Sequence, residues 1–403
     1  MEVTLFVILF LLVTMVWFGY RWYAEGAFTQ PLTGGGWFAP WTIHLLHWGI
    51  VALLIAFSAD SLFPTTPRLW ESLGIWVPVL LLASFFAYWP CSVSQQVSDP
   101  QPGQYGKIVF YGILVLSCII TPLYLRAVWH NVSEFRSEGT GELVRDLRNL
   151  CLEEIDYGVL GWAFVLNKLL FVVSFYWRRH LRWWILPIVV ILNMLTAASV
   201  MEKGYLVFMV VIATWLLYEQ GVLKMWHIGV TIAVALVGAY FFTLIRTFAD
   251  VDSQDRMSFM DFFSIYVTSS SVAYCYMPDD TLPQWGGETF TRLYHILNRL
   301  GMGSYAEAER VQQFIHVPVE TNTYTVMQPF YLDFGYKGLA FFAYVYGVLS
   351  GFLYRWHKQG SAWATCVYAM VLAALCTQFH QEELFGCLIV NIQYAVLALF
   401  IAL

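Results

Sequence analysis

The stretch TNTYTVMQPFYLDFGYKGLAFFAYVYGVLSGFLY, residues 321–354, decides the fold. Its second half, GLAFFAYVYGVLSGFLY, is a run of about seventeen residues without a charge, close to the length that crosses a bilayer as a helix. Its first half places Asn322, Pro329, Asp333 and Gly335 among aromatic residues at the edge of that run.

The rest of the chain has the same character. Of 403 residues, 59% are hydrophobic and only 12% charged, and the mean hydropathy is +0.62. A soluble domain of this size with that surface would aggregate, so the composition predicts an all-α polytopic membrane protein. About eleven segments are apolar and long enough to be spans: near residues 4–20, 40–57, 74–89, 107–125, 158–176, 183–200, 204–218, 227–245, 338–354, 361–378 and 385–403. The first run lacks a basic flank and a small-residue cleavage site, so it is expected to be retained as a span. We expect one integral membrane domain over residues 1–403, with a large external loop at 246–337. No internal repeat is visible, which weighs against a transporter built from two related halves.

The net charge of −6, with no sustained basic surface, argues against nucleic acid as a partner. The seven cysteines show no CxxC spacing and imply neither a zinc site nor a disulfide framework; Cys151 and Cys275 fall in expected external loops, where a pairing stays open. Orientation follows the Lys/Arg bias of short loops. WRRHLRWW at 177–184 and YRWHK at 354–358 are expected on the cytoplasmic side. Residues 126–156, the turn at 202–204, the stretch 246–337 and QFHQEELFG at 378–386 then fall outside, with the amino terminus outside and the carboxyl terminus inside.

Charges in or beside a membrane are costly, so each is a functional candidate. Arg246 ends a span in FFTLIRTF, where it either snorkels to headgroups or meets substrate. Lys203, in the short turn VMEKGYLV, pairs with Glu202, a phospholipid or a substrate anion. Arg292, His295 and Arg299 share the basic face of an amphipathic helix in TFTRLYHILNRLG, ended by Gly301 and expected on the membrane surface. His380 to Glu383 reads either as a hydrated loop or as an imidazole made more basic by its carboxylate neighbours. Asp250 and Asp252 form either a solvated acidic turn or a metal-holding pair. Cations on one side with a few bases suit an anionic, lipid-anchored substrate such as a pyrophosphate. GxSxG, HExxH and Walker patterns are absent.

The opening stretch, with its Asn-x-Tyr-Thr, its Pro-Phe-Tyr and its Asp-Phe-Gly before a glycine-containing span, resembles the late motif of bacterial oligosaccharide repeat-unit polymerases. These are the Wzy-type enzymes of O-antigen, capsule and exopolysaccharide pathways. The order of earlier parts is similar as well: a Lys-Gly turn at Lys203-Gly204, Arg246 at the outer end of the next span, the aromatic segment FFSIYVTSSSVAY, and GGETF before a helix. The resemblance covers the chain from about residue 195. It departs at Lys203, where many relatives carry arginine, and a lysine offers a point charge in place of a bidentate fork.

The resemblance implies a GT-C-like membrane glycosyltransferase that needs no cofactor, no nucleotide sugar and no metal. It would move the glycan from an undecaprenyl-pyrophosphate carrier to the non-reducing end of another lipid-linked repeat unit. Arg246, Lys203, Arg292 and Arg299 would hold pyrophosphate. Asp333 and His380 would be the candidate bases, with Glu382 behind them, and Asn322, Tyr324 and Tyr331 would contact substrate. Asp333 has a structural alternative, capping the coming helix or pairing with Lys337, and Gly335 is expected at positive φ. The implied partners are lipid-linked oligosaccharides, membrane lipids and a Wzz-type chain-length regulator. The implied location is the bacterial inner membrane, with the site facing the periplasm. A flippase or exporter of lipid-linked glycans and an O-antigen ligase are the rival functions.

Overall fold

The computed structural model describes residues 36–57, 62–88, 101–138, 147, 155, 157–200, 203–224, 226–231, 233–234, 237, 259–278, 285–305, 308 and 312–403. Among them helix dominates. The expected span at 4–20 and most of that at 227–245 lie outside the described residues. The other nine expected spans each coincide with an apolar helix, and five of these are long and apolar enough to cross a membrane. Together they make the chain a multi-pass, all-α membrane protein.

The chain packs as two compact units. The first comprises residues 1–97, 254–359 and 374–389. It contains α1 (Pro40–Phe57) and α2 (Pro67–Tyr88), each opening on a proline whose fixed φ and missing N–H suit the first helical turn. The span of the opening stretch is longer than expected, running from Gln328 to Lys358 instead of starting near 338. Pro329 starts it for the same reason as in α1 and α2, and it breaks at Gly335, which has φ 62° and ψ −154°, a conformation only glycine adopts easily. The expected positive φ is therefore present.

This helix lies against α2 through small residues. A Cβ added at Gly347 would sit 2.6 Å from both the Ala83 Cβ and the Leu80 carbonyl, and one at Gly351 would sit 2.8 Å from the Ala87 Cβ and overlap the Ser84 carbonyl. Gly347-x-x-x-Gly351 thus faces Ala83-x-x-x-Ala87, the spacing by which membrane helices bring their backbones together. Above that contact, Trp76 stacks on Phe330 at 5.7 Å and Phe330 on Phe342 at 4.3 Å.

The described part of residues 246–337 is largely helical. Phe259–Tyr276 is α7, an 18-residue helix packed on α1 and α2. Its Thr268, Ser270 and Ser271 are buried, and Tyr274 shares a 2.8 Å hydrogen bond with Ser72 of α2. Cys275, near the end of α7, is a free, buried thiol that accepts the Thr66 N–H at 3.3 Å; Cys151 lies outside the described residues. The amphipathic helix appears as α8 (Thr291–Arg299), closed by Gly301 at φ 70°. A two-residue β pair follows, β1 (Ile315–His316) antiparallel to β2 (Glu320–Thr321), and then the broken helix, α9.

The second unit comprises residues 98–253, 360–373 and 390–403. Its described helices are α3 (Gln104–Glu138), α4 (Trp162–Tyr176, after a 3-10 turn at Gly158–Gly161), α5 (Ile185–Val200) and α6 (Lys203–Glu219). It also includes most of α10 (Ala362–Cys376) and α11 (Leu388–Ala402). Ile108, Val115, Ile119 and Leu123 lie exposed along α3, a stripe that suits lipid and would be a liability in water. At the end of α4, Gln220 donates to the Phe175 and Tyr176 carbonyls at 2.8 and 3.1 Å and accepts from Arg178 Nε at 2.6 Å. The arginine turn is thereby tied to the end of α6.

Candidate functional site

In the first unit, Asp333 is the last residue but one before the Gly335 break and is 4% exposed. Its carboxylate neither caps its own helix nor meets Lys337. Instead Oδ1 accepts the Glu288 N–H at 3.2 Å and Oδ2 the Thr289 N–H at 2.7 Å. Those amides lie in the turn that leads into α8, where the unsatisfied N–H groups of a helix start attract an anion. GGETF and PFYLDFG, 44 residues apart at Thr289 and Asp333, are therefore joined by one carboxylate. Gln312 extends the connection, donating to Glu288 Oε2 at 3.1 Å and accepting from Gln328 Nε2 at 3.1 Å.

The segment after α10 carries the other candidate bases. Glu382 Oε1 accepts the N–H groups of Leu384 and Phe385 at 2.7 and 2.8 Å, and Oε2 accepts that of Gly386 at 2.6 Å. The Tyr346 hydroxyl donates to Oε1 as well. Burial pushes the Glu382 carboxyl above the ordinary carboxylate range, against the Gly386 N–H, the Tyr346 hydroxyl and the other amides, which favour its charge. His380 is half-buried and stacks on Tyr266 of α7, with ring centres 6.4 Å apart. Beside it Gln378, wholly buried, accepts on one oxygen from His44 Nδ1 at 3.0 Å, Trp48 Nε1 at 2.8 Å and Trp76 Nε1 at 3.3 Å.

The other sequence candidates of this unit are spread over it. Tyr324 is 4% exposed and its hydroxyl donates to the Gln313 carbonyl at 3.0 Å; this makes it part of the packing around β1 and β2. Asn322 is half-buried. Tyr331 meets Tyr274 edge-on at 5.9 Å, and the Arg68 guanidinium lies 5.4 Å above its ring. Arg68 also donates to the Met277 carbonyl at 2.9 Å, at the end of α7. Arg292, His295 and Arg299 are all exposed on α8, as an outward basic face requires. Arg68 has no motif around it; only the fold reveals its position.

In the second unit a buried polar network crosses the apolar helices. Asn167 of α4 donates to Thr121 of α3 at 3.0 Å and to Thr196 of α5 at 2.8 Å, and accepts from Ser117 of α3. Asn193 of α5 donates to the Asn167 carbonyl at 3.0 Å and accepts the Tyr205 hydroxyl of α6 at 2.9 Å. Lys203 is the first residue of α6, and its side chain lies outside what the structure describes. Arg246, Asp250 and Asp252 lie outside the described residues.

Next to Asn167 stands Lys168, the sole charge in the span Gly158–Tyr176. Its ammonium lies over the rings of Tyr205, at 5.0 Å, and Phe208, at 5.4 Å, both on α6. An ammonium at mid-span costs about 2.5–3.5 kcal/mol on insertion scales. Two cation–π contacts at roughly 0.5–2 kcal/mol each match that cost only toward the top of their range. The signal is visible in the sequence as one charge within WAFVLNKLLFVV, but it belongs to no motif of the resemblance.

No protein-family model, curated protein or solved structure matches the chain.

Proposed function

We propose that the chain polymerises undecaprenyl-pyrophosphate-linked oligosaccharide repeat units into a surface polysaccharide, as a GT-C-like glycosyltransferase of about eleven spans in the bacterial inner membrane. One observation carries the reading: Asp333 binds the amides of Glu288 and Thr289, so two elements of the polymerase-like motif set, GGETF and PFYLDFG, act as one structure. A motif order alone could arise by chance; its distant parts would then have no reason to meet through their most distinctive residue.

In the proposed reaction an acceptor sugar hydroxyl attacks the anomeric carbon of the donor glycan. The bond to pyrophosphate breaks, and undecaprenyl pyrophosphate leaves with the bonding electrons. The transition state has oxocarbenium character, which a base and a nearby anion both assist. His380 is assigned the hydroxyl proton, with Glu382 behind it. Asp333 is the other candidate base, and its amide bonds make it a positioning group for the turn before α8. Lys203, Arg246, Arg292 and Arg299 are assigned to phosphate, and Asn322, Tyr324 and Tyr331 to the glycan or to shaping its seat. The site is proposed to face the periplasm, with a separate chain-length regulator as partner.

Deletion of the gene and complementation with wild type, Arg246→Ala and Asp333→Asn tests this. The deletion strain is expected to carry surface glycan capped at a single repeat unit, and Arg246→Ala to restore no polymer. Long glycan in the deletion strain would overturn the polymerase reading, and full polymer with Asp333→Asn would remove Asp333 as a base.

A further inference from the structure

We propose that Lys168 holds the phosphate of a lipid ligand within the second unit. That the lipid is a polyprenyl pyrophosphate rests on the function proposed above; the phosphate site itself rests on the geometry.

Lys168 is the eleventh residue of the 19-residue span Gly158–Tyr176. At about 1.5 Å per residue, it lies roughly 12–15 Å from either end, too deep for the ammonium to reach bulk water on both sides. Among the described residues its interactions are the Tyr205 and Phe208 rings, and no carboxylate there pairs with it. Such a charge persists in a membrane helix when something supplies the missing negative partner. A helical side chain leans toward the start of its own helix, and here the rings it meets are in the first two turns of α6, whose first residue is Lys203.

The seat is also rigid before any ligand arrives. The Tyr205 hydroxyl is bound to Asn193, and Asn193 to the carbonyl of Asn167, the residue before Lys168. Ring and lysine backbone therefore belong to one hydrogen-bonded frame. Preorganisation of this kind reduces the ordering cost of binding. The chemistry of the occupant follows from what is offered: a point charge on a flexible stem, which suits a phosphate oxygen without demanding bidentate geometry. The apolar surroundings require that the phosphate be carried on a lipid.

The test uses the full-length chain in phosphatidylcholine nanodiscs, with undecaprenyl pyrophosphate or phosphatidylglycerol as added probes, and reads thermal stability and apparent affinity. For the wild type, the pyrophosphate lipid is expected to raise the Tm. Lys168→Met is expected to weaken that lipid about tenfold or more, and Lys168→Arg to stay within about threefold of wild type. Without probe, Lys168→Met is expected to melt no lower than wild type, because the change removes a charge whose cost the rings at most offset. A staple held only by the aromatic rings would instead melt lower with and without probe, which would overturn the proposal, as would unchanged affinity for both probes in Lys168→Met. If phosphatidylglycerol binds as well as the pyrophosphate lipid and both depend on Lys168, the lipid-phosphate site stands and the polymerase reading loses its donor.

Discussion

Buried charge is treated in opposite ways in the two units. In the first, the carboxylates of Asp333 and Glu382 are held by backbone N–H groups of segments distant or local, and Glu382 has a tyrosine hydroxyl besides. In the second, side-chain amides and hydroxyls satisfy one another around Asn167 and Asn193, and among the described residues Lys168 meets aromatic rings. The difference teaches where an anionic ligand can contribute. A carboxylate compensated by backbone, as Asp333 is, holds the fold; a charge left to rings is a place for a ligand.

This contrast can be broken most severely at the helix contact that supports the first unit. Gly351→Leu places a side chain where the Ser84 carbonyl and the Ala87 Cβ now sit. Overpacking against backbone is expected to cost about 3 kcal/mol, and the variant should elute from size exclusion as aggregate with a much reduced Tm. A monodisperse protein of wild-type stability would mean that α2 and α9 do not approach as described.

Asp333→Ala leaves two buried amides without an acceptor. Hydrogen bonds to a charged group contribute about 1.5–3 kcal/mol, so a loss of about 2–3 kcal/mol is expected, with early proteolysis near 288. Asp333→Asn keeps one carbonyl acceptor and should lose about half as much. Equal stability of wild type and Asp333→Ala would show that the carboxylate does not anchor the turn.

For the second unit, Asn167→Ala removes three side-chain bonds at once. Interhelical bonds in membranes average under about 1 kcal/mol each, so a total of about 1–2 kcal/mol is expected in a detergent unfolding titration. Asn193→Ala, which removes the acceptor of the Tyr205 hydroxyl, should also weaken binding at Lys168.

The smallest effect is a dependence on pH. Glu382 has its folded pKa raised above the ordinary carboxylate value by burial, so the folded state holds the proton more tightly than the unfolded one. The stability it contributes is fully present below the unfolded pKa and is lost as pH rises through the folded one. Glu382→Gln does not titrate. The Tm difference, wild type minus Glu382→Gln, should therefore shrink as pH is raised from about 4.5 upward. A difference that grows would reverse the assignment of burial as the dominant cause.

Much of the fold is legible in the sequence because a membrane span announces itself by composition, whatever its neighbours. The helix at α7 is less legible: Thr268 and Ser269 to Ser271 lower its apolar character, yet they are buried against neighbouring helices, with the Thr268 hydroxyl turned back to the Ser264 carbonyl at 2.6 Å. Gly335 is readable from its place between helical stretches. The partner of Asp333 is not, since no local pattern points 44 residues back to Thr289. Lys168 is readable as a lone charge, but its significance depends on which rings it meets.

The most direct measurement of the central claim is made with the purified chain in nanodiscs, given undecaprenyl-pyrophosphate-linked repeat units, with the products separated by length. The account predicts a ladder of polymer with release of undecaprenyl pyrophosphate, strongly reduced in His380→Ala. Repeat units that remain single with the folded wild type, in the presence of divalent metal and in its absence, would contradict it.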